Sequence, residues 1–230
     1  MIEQQPTPVA ARVWDLPLRI VHWLMVALLF VLVATAKIGG DAIDWHIRAG
    51  ETMLTLVLFR ILWGFLGSHH ARFASFLRGP RVVLAYARSL LRPPHAAFVG
   101  HNPLGGWMVL LLLAALLVQA STGLFSNDDI ATEAPLARLI SKDLSDVIST
   151  FHRRDAWFVL ALAGVHVAAT LFYLIRFKEN LIGPMIDGVK QLPRASVDVG
   201  NGGATLARAV GLFALCALAV WLLVTRKWGF

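Results

Sequence analysis

Only 15% of the 230 residues are charged and 57% are hydrophobic, where a soluble domain carries about 25% charged residues; with a mean hydropathy of +0.67, the chain reads as a membrane protein. The formal charge of +7 does not point to nucleic acid, because the basic residues concentrate in one loop between apolar stretches, where they set membrane orientation. The lone Cys216 excludes a disulfide and reads as a small buried hydrophobe.

Five stretches reach or approach the roughly 20 apolar residues that cross a bilayer, at about 17–36, 45–66, 103–124, 156–175 and 205–224. A loose tail with Pro6 and Pro8 comes first, and Trp14 reads as an interfacial anchor. Ala34-Thr35-Ala36 imitates a signal-cleavage site, but the apolar run before it exceeds the roughly 7–15 residues of a signal core, so it reads as a span. Lys37 to Asp44, with Gly39-Gly40, forms a short turn into the second span. The next loop carries Arg72, Arg78, Arg81, Arg88 and Arg92 with no Asp or Glu from 67 to 102, and this places it in the cytoplasm. Its segment 72–91 alternates apolar residues with arginines, as an amphipathic surface helix broken at Gly79-Pro80 would. Pro93-Pro94 and Asn102-Pro103 mark the entry to the third span.

The loop 125–151 sets Asp128, Asp129, Glu133, Asp143 and Asp146 against Arg138 and Lys142 and is placed outside. Within it, Pro135 to Thr150 has the spacing of a separate short helix that caps the outer end of the bundle or faces a partner. Arg176 to Gly203, with Gly183-Pro184, Pro193 and Gly202-Gly203, reads as a linker to a fifth span that holds no histidine and serves as anchor or packing surface. The expected organisation is a transmembrane bundle with its tail over 1–190 and a linker plus C-terminal helix over 191–230. The N-terminus is then cytoplasmic and the C-terminus periplasmic, although Arg226 and Lys227 run against this.

The chemistry lies in the histidines. His152 and His166 are fourteen residues apart, an offset that returns to within about 40° of one helix face and separates them by roughly 21 Å. Ionisable groups at membrane depth are costly, so two on one stripe read as a functional site. His22 enters early in the first span and His46 opens the second, so antiparallel threading pairs His46 with His152 near the outer surface and His22 with His166 deeper on the inner side. Each pair can supply two axial imidazoles to one haem iron, and without a Cys-x-x-Cys-His motif the haems would be non-covalent. Gly50, Ala156 and Ala163 leave room for a flat disc. Arg19 on the inner side and Arg48, Arg153 and Arg154 on the outer are candidates for its propionates or, equally, interfacial cations. Arg60, deeper in the second span, reads as partner of an inner propionate or of a quinone headgroup. His69, His70, His95 and His101 read as surface residues or as walls of a quinone pocket, and they lack the ligand set of a zinc site.

Several segments resemble the bacterial cytochrome b561 and nickel-iron hydrogenase b-type cytochrome family. They are Trp14-Asp15-Leu16-Pro17-Leu18-Arg19-Ile20-Val21-His22-Trp23, His46 with Gly50, Phe59-Arg60-Ile61-Leu62-Trp63-Gly64, His101-Asn102-Pro103-Leu104-Gly105-Gly106-Trp107, Gly123-Leu124-Phe125-Ser126-Asn127-Asp128-Asp129, His152 with His166, and Glu179-Asn180-Leu181. The resemblance spans about residues 12 to 190 and implies an all-α, integral-membrane four-helix bundle. In that family two b haems are held by histidines of the first, second and fourth helices, and the resemblance implies the same here, with a fifth helix added. It further implies an electron conduit in the bacterial inner membrane between the quinone pool and a periplasmic partner such as a c-type cytochrome or an oxidoreductase. Arg153 departs from the family pattern, in which many members carry Glu after the first histidine of the fourth helix. Two other readings stay open at this point: an oxidase that takes electrons from superoxide and delivers them to quinone, and a haem-free anchor or metal transporter.

Overall fold

The computed structural model describes residues 9–90, 98–130, 132–192 and 206–226; the readings on Pro6, Pro8, Arg92 to His95, Pro193, Gly202-Gly203 and Lys227 lie outside them. Helix α1 (Leu16–Ile38) starts where Asp15 accepts the Leu18 N–H at 2.8 Å and where Pro17 occupies the first turn, in which its missing donor is no loss. It stops at Gly39, which with Gly40 takes φ of 68° and 54°, a region glycine enters without a Cβ clash. The chain reverses at once into α2 (Ala42–Leu66).

A 3-10 turn (His69–Ala71), α3 (Phe73–Phe76) and α4 (Pro80–Ser89) follow, interrupted at Gly79 as expected. This segment does more than lie on a surface, because Phe73 and Phe76 are buried in a cluster with Met53, Val57 and Leu113. Asn102 caps α5 (Pro103–Gly123) by accepting the Gly105 N–H at 2.7 Å. The separate outer helix expected over 135–150 is not formed: α6 runs unbroken through 35 residues, Lys142–Arg176, after a single 3-10 turn at Ala137–Leu139. No Gly or Pro lies between 142 and 163 to stop it, and Ser141 caps its start by accepting from Leu144. The preceding loop is tied onto α6 through Asn127, which donates to Ser145 and Asp146, and through Lys142, which pairs with Asp129 and Asp146.

After α7 (Gly183–Asp187), strand β2 (Val189–Leu192) pairs antiparallel with β1 (Val9–Arg12), Val9 opposite Leu192 and Arg12 opposite Val189. This ribbon sews the start of the bundle to the end of α6. Beside it a buried ion pair joins Lys190 to Glu179 at 2.6 Å, and Lys190 also donates to the Phe98 carbonyl. Helix α8 (Leu206–Thr225) packs on α2, burying Ala209, Cys216 and Val220.

Among the described residues five helices, α1, α2, α5, α6 and α8, are long and apolar enough to cross a membrane. Helix α2 is the hub, packing on α1, α5 and α8, with Leu56, Val57, Phe59 and Trp63 no more than 2% exposed. The outer helices turn Phe30, Phe158, Val165, Phe172 and Leu218 outward, the apolar skin expected when hydrocarbon is the solvent. The extended packing partner of α6 is α5; it reaches α1 and α2 through side chains, His166 to His22, His152 to His46, and Trp157 to Lys37.

Close approach is most demanding at Gly64 of α2, where an added Cβ would come within 2.1 Å of the Phe73 ring. Gly64→Ala is therefore expected to destabilise the protein by about 1–3 kcal/mol, read as a lower melting temperature in detergent. Phe73→Leu in the same chain should recover part of the loss.

Candidate functional site

The four predicted histidines meet in two pairs. His22 of α1 faces His166 of α6 with ring centroids 6.2 Å apart and planes at 64°. His46 of α2 faces His152 of α6 at 6.3 Å and 89°. Metal–imidazole bonds of about 2.0 Å, with each nitrogen about 1.2 Å from its ring centre, would hold two rings on opposite sides of one metal roughly 6.4 Å apart. Both pairs match that spacing. Neither pair includes a third His, Cys, Asp or Glu that would make a tetrahedral site, and no group of three such residues fit to hold an ion occurs among the described residues. The donor set is thus suited to the two open axial positions of a metal already held in a plane by a macrocycle.

The surroundings fit a flat apolar disc. A Cβ built on Gly50, one turn from His46, would meet nothing within 4 Å, although the residue is half-buried. Gly123 of α5 backs the other ring: a Cβ there would lie 3.0 Å from Cε1 of His152. Ala156 and Ala163 are half-buried along α6.

The hydrogen bonds of the His46/His152 pair fix its tautomer. Nδ1 of His46 lies 3.0 Å from the Leu32 carbonyl and 3.3 Å from Oγ1 of Thr35. Nδ1 of His152 lies 3.0 Å from the Gln119 carbonyl and 3.2 Å from Oγ1 of Thr122. A ring nitrogen facing a carbonyl must be the protonated donor, so in both rings Nε2 carries the lone pair. In His152 that nitrogen accepts from the Gln119 side-chain amide at 3.2 Å, while Oε1 of Gln119 is buried without a partner.

The predicted cations are placed as follows. Arg60 is 5% exposed; it donates to the Ala71 carbonyl at 3.4 Å, lies over the Phe73 ring at 5.5 Å, and has Asp15 as its opposing charge. Its burial is thus compensated inside the protein. Asp15, which sequence reasoning missed as a hub, caps α1 and accepts from Nε1 of Trp63 at 3.0 Å and from the Ser68 hydroxyl. An Asp directly before Leu16-Pro17 was the available signal. Arg19 donates to the Ile186 carbonyl and keeps a buried Nε without a partner. Arg48, Arg153 and Arg154 are exposed near the other pair, with Arg48 over Trp45 and Arg153 donating to Thr150 at 3.2 Å.

Near the His22/His166 pair, a cavity of about 230 Å³ is lined by His69, His70, Phe76, Arg78, Gly100 and His101. Nδ1 of both His69 and His101 is buried without a hydrogen-bond partner. Trp14, expected at the membrane interface, is instead 8% exposed and packs its ring 4.6 Å from His101. Burial first, then the charge of Arg60 and the neighbouring imidazoles of His166, His22 and His70, hold the pKa of His101 down to about 3.

The sequence profile described as prokaryotic cytochrome b561 matches residues 13–188. The chain belongs to that family. Cytochrome b561 membership implies b-type haem and electron transfer in a multi-pass membrane protein, and the five apolar helices agree with it. Among relatives, a probable Ni/Fe-hydrogenase B-type cytochrome subunit of Bradyrhizobium diazoefficiens is 26% identical over 78% of this chain and 85% of its own. The probable Ni/Fe-hydrogenase 1 B-type cytochrome subunit of Escherichia coli K12 is 24% identical over 83% of this chain and 94% of its own. A probable Ni/Fe-hydrogenase B-type cytochrome subunit of Azotobacter vinelandii is 24% identical over 78% of this chain and 88% of its own. No solved structure gives a significant match.

Because an ordinary imidazole titrates near 6.5 and His101 near 3, its neutral form contributes stability fully above about pH 6.5 that is lost as pH falls towards 3. Melting temperature should decline over that window. His101→Gln, which cannot take up the proton, is expected to flatten the decline, whereas an unchanged slope would show that His101 is not held neutral by the fold.

Proposed function

We propose that this cytochrome b561 is a di-haem b-type conduit in the bacterial inner membrane, passing single electrons between the quinone pool and a periplasmic redox partner. The observation that carries the reading is the pair of facing imidazole couples, each at axial-ligand spacing and both using α6. In this reading His22 and His166 ligate an inner haem b and His46 and His152 an outer one. A bound haem supplies a reversible one-electron couple, while the protein sets its position and electrostatics.

The roles of the chain's residues follow. The fourteen-residue offset on α6 keeps the two sites roughly 21 Å apart along the helix axis. Gly50 leaves space for the outer disc, and Arg19 and Arg153, standing on the turns next to His22 and His152, are the cations offered to the acidic edges. Arg60, whose charge bears on His22 and His101, favours the reduced state at the inner site, since neighbouring positive charge opposes loss of an electron. The cavity lined by His69 and His101 is suited to a quinone headgroup, because each of these two histidines keeps a buried ring nitrogen without a hydrogen-bond partner. The relatives' descriptions as hydrogenase subunits favour an oxidoreductase of that kind as the periplasmic partner, with a c-type cytochrome as the other candidate. The fifth helix, α8, anchors and packs on α2, and residues 1–190 hold the haem bundle. The N-terminus lies in the cytoplasm and the C-terminus in the periplasm, as the basic loop 67–102 directs.

Single alanine substitutions test the pairing by haem quantification and reduced-minus-oxidised spectra. His22→Ala and His166→Ala are expected each to lower the content from two haems to one and to remove the same spectral component. His46→Ala and His152→Ala should each remove the other. Losses that group differently would contradict the assignment.

A further inference from the structure

The two imidazole couples differ in one respect that the family assignment does not explain. Both rings of the His46/His152 couple have Nδ1 engaged by a carbonyl and a threonine hydroxyl, while among the described residues no hydrogen bond engages His22 or His166. The two engagements are built alike. On α1 the acceptors are the carbonyl of Leu32 and, three residues on, Oγ1 of Thr35; on α5 they are the carbonyl of Gln119 and, again three residues on, Oγ1 of Thr122. Each threonine gives its own proton to the helix backbone, Thr35 to the Val31 carbonyl at 2.7 Å and Thr122 to the Val118 carbonyl at 2.8 Å. Its oxygen is thereby committed as an acceptor towards the imidazole N–H. Each device belongs to one helical hairpin, α1 serving the histidine of α2 and α5 serving that of α6.

We infer that Thr35 and Thr122 are positioning residues that clamp the outer axial imidazoles, fixing both ring planes and making the ligands of the outer haem more electron-donating than those of the inner. This rests on the reading that His46 and His152 ligate a haem. The physical ground is that an imidazole donating its second N–H to an acceptor gains basicity and loses rotational freedom about its bond to iron. A more basic ligand pair favours the oxidised metal, so the clamp biases the outer site towards a lower potential than its ligands alone would give. The ring planes are near perpendicular at 89° in the outer couple and at 64° in the inner, a difference the clamp preserves. Gln119 adds a constraint of its own: its side chain holds Nε2 of His152, so a metal held by that nitrogen would have to take the place of the amide, while the Gln119 carbonyl engages Nδ1.

The test uses purified, haem-loaded protein with Thr35→Val and Thr122→Val, singly and together, and Thr35→Ser and Thr122→Ser as rescues that keep the acceptor. The readouts are the midpoint potentials of the two haem components and the low-field paramagnetic resonance of the ferric state, which reports the angle between axial rings. Valine at either position should raise the potential of one component and shift its resonance, with the double variant larger than either single; the second component stays in place, and serine restores both values. Loss of only the outer haem in a valine variant, with retention in the serine variant, also supports the clamp. Valine variants with both components unmoved, or both moved together, overturn it. Wild-type protein lacking bis-histidine resonances altogether overturns the ligation reading instead, and the clamp falls with it.

Discussion

A nitrogen-bearing ring inside hydrocarbon must find a partner, because the water that would otherwise satisfy it is absent and the cost of leaving it bare runs to several kcal/mol. Four such rings stand on three membrane-length helices of this protein. Two of them find carbonyls and threonines for one nitrogen, and all four turn towards a second imidazole at a distance too great for direct bonding. The architecture follows from that arrangement. Helix α6 meets α1 and α2 through these rings, and its extended packing partner is α5.

The end of the molecule that carries the β1–β2 ribbon is built differently. There the polar groups are satisfied by one another: Asp15 joins the start of α1 to Trp63 and Ser68, Arg60 finds Ala71, Phe73 and the charge of Asp15, and Lys190 is sealed against Glu179. Buried ion pairs add little net stability in themselves, but removing one member strands the other in a low-dielectric setting. These links hold the cavity beside His101 and the His22/His166 couple in fixed relation.

Much of this was legible from residue order. The apolar runs located the five spans, and the fourteen-residue repeat on α6, combined with antiparallel threading, brought together the couples that the structure places face to face. What escaped was long-range or masked by apolar context. Pairing of Val9–Arg12 with Val189–Leu192 joins segments about 180 positions apart that carry no local strand signal. The region 135–150 read as a separate cap because its pattern differs from the apolar span after it, yet nothing in the sequence breaks the helix between them. Trp14 carries the composition of an interface anchor and is instead packed on His101. Gln119 and Thr122 were two polar residues in an apolar third span with no histidine of its own, and only the neighbouring helix reveals their use.

The central claim is that the two couples hold two iron centres at different depths of one bundle. Anomalous scattering at the iron edge from crystals of the purified protein tests it directly. The account predicts two iron peaks per chain, one between His46 and His152 and one between His22 and His166. A single peak, or iron located away from these rings, would contradict it.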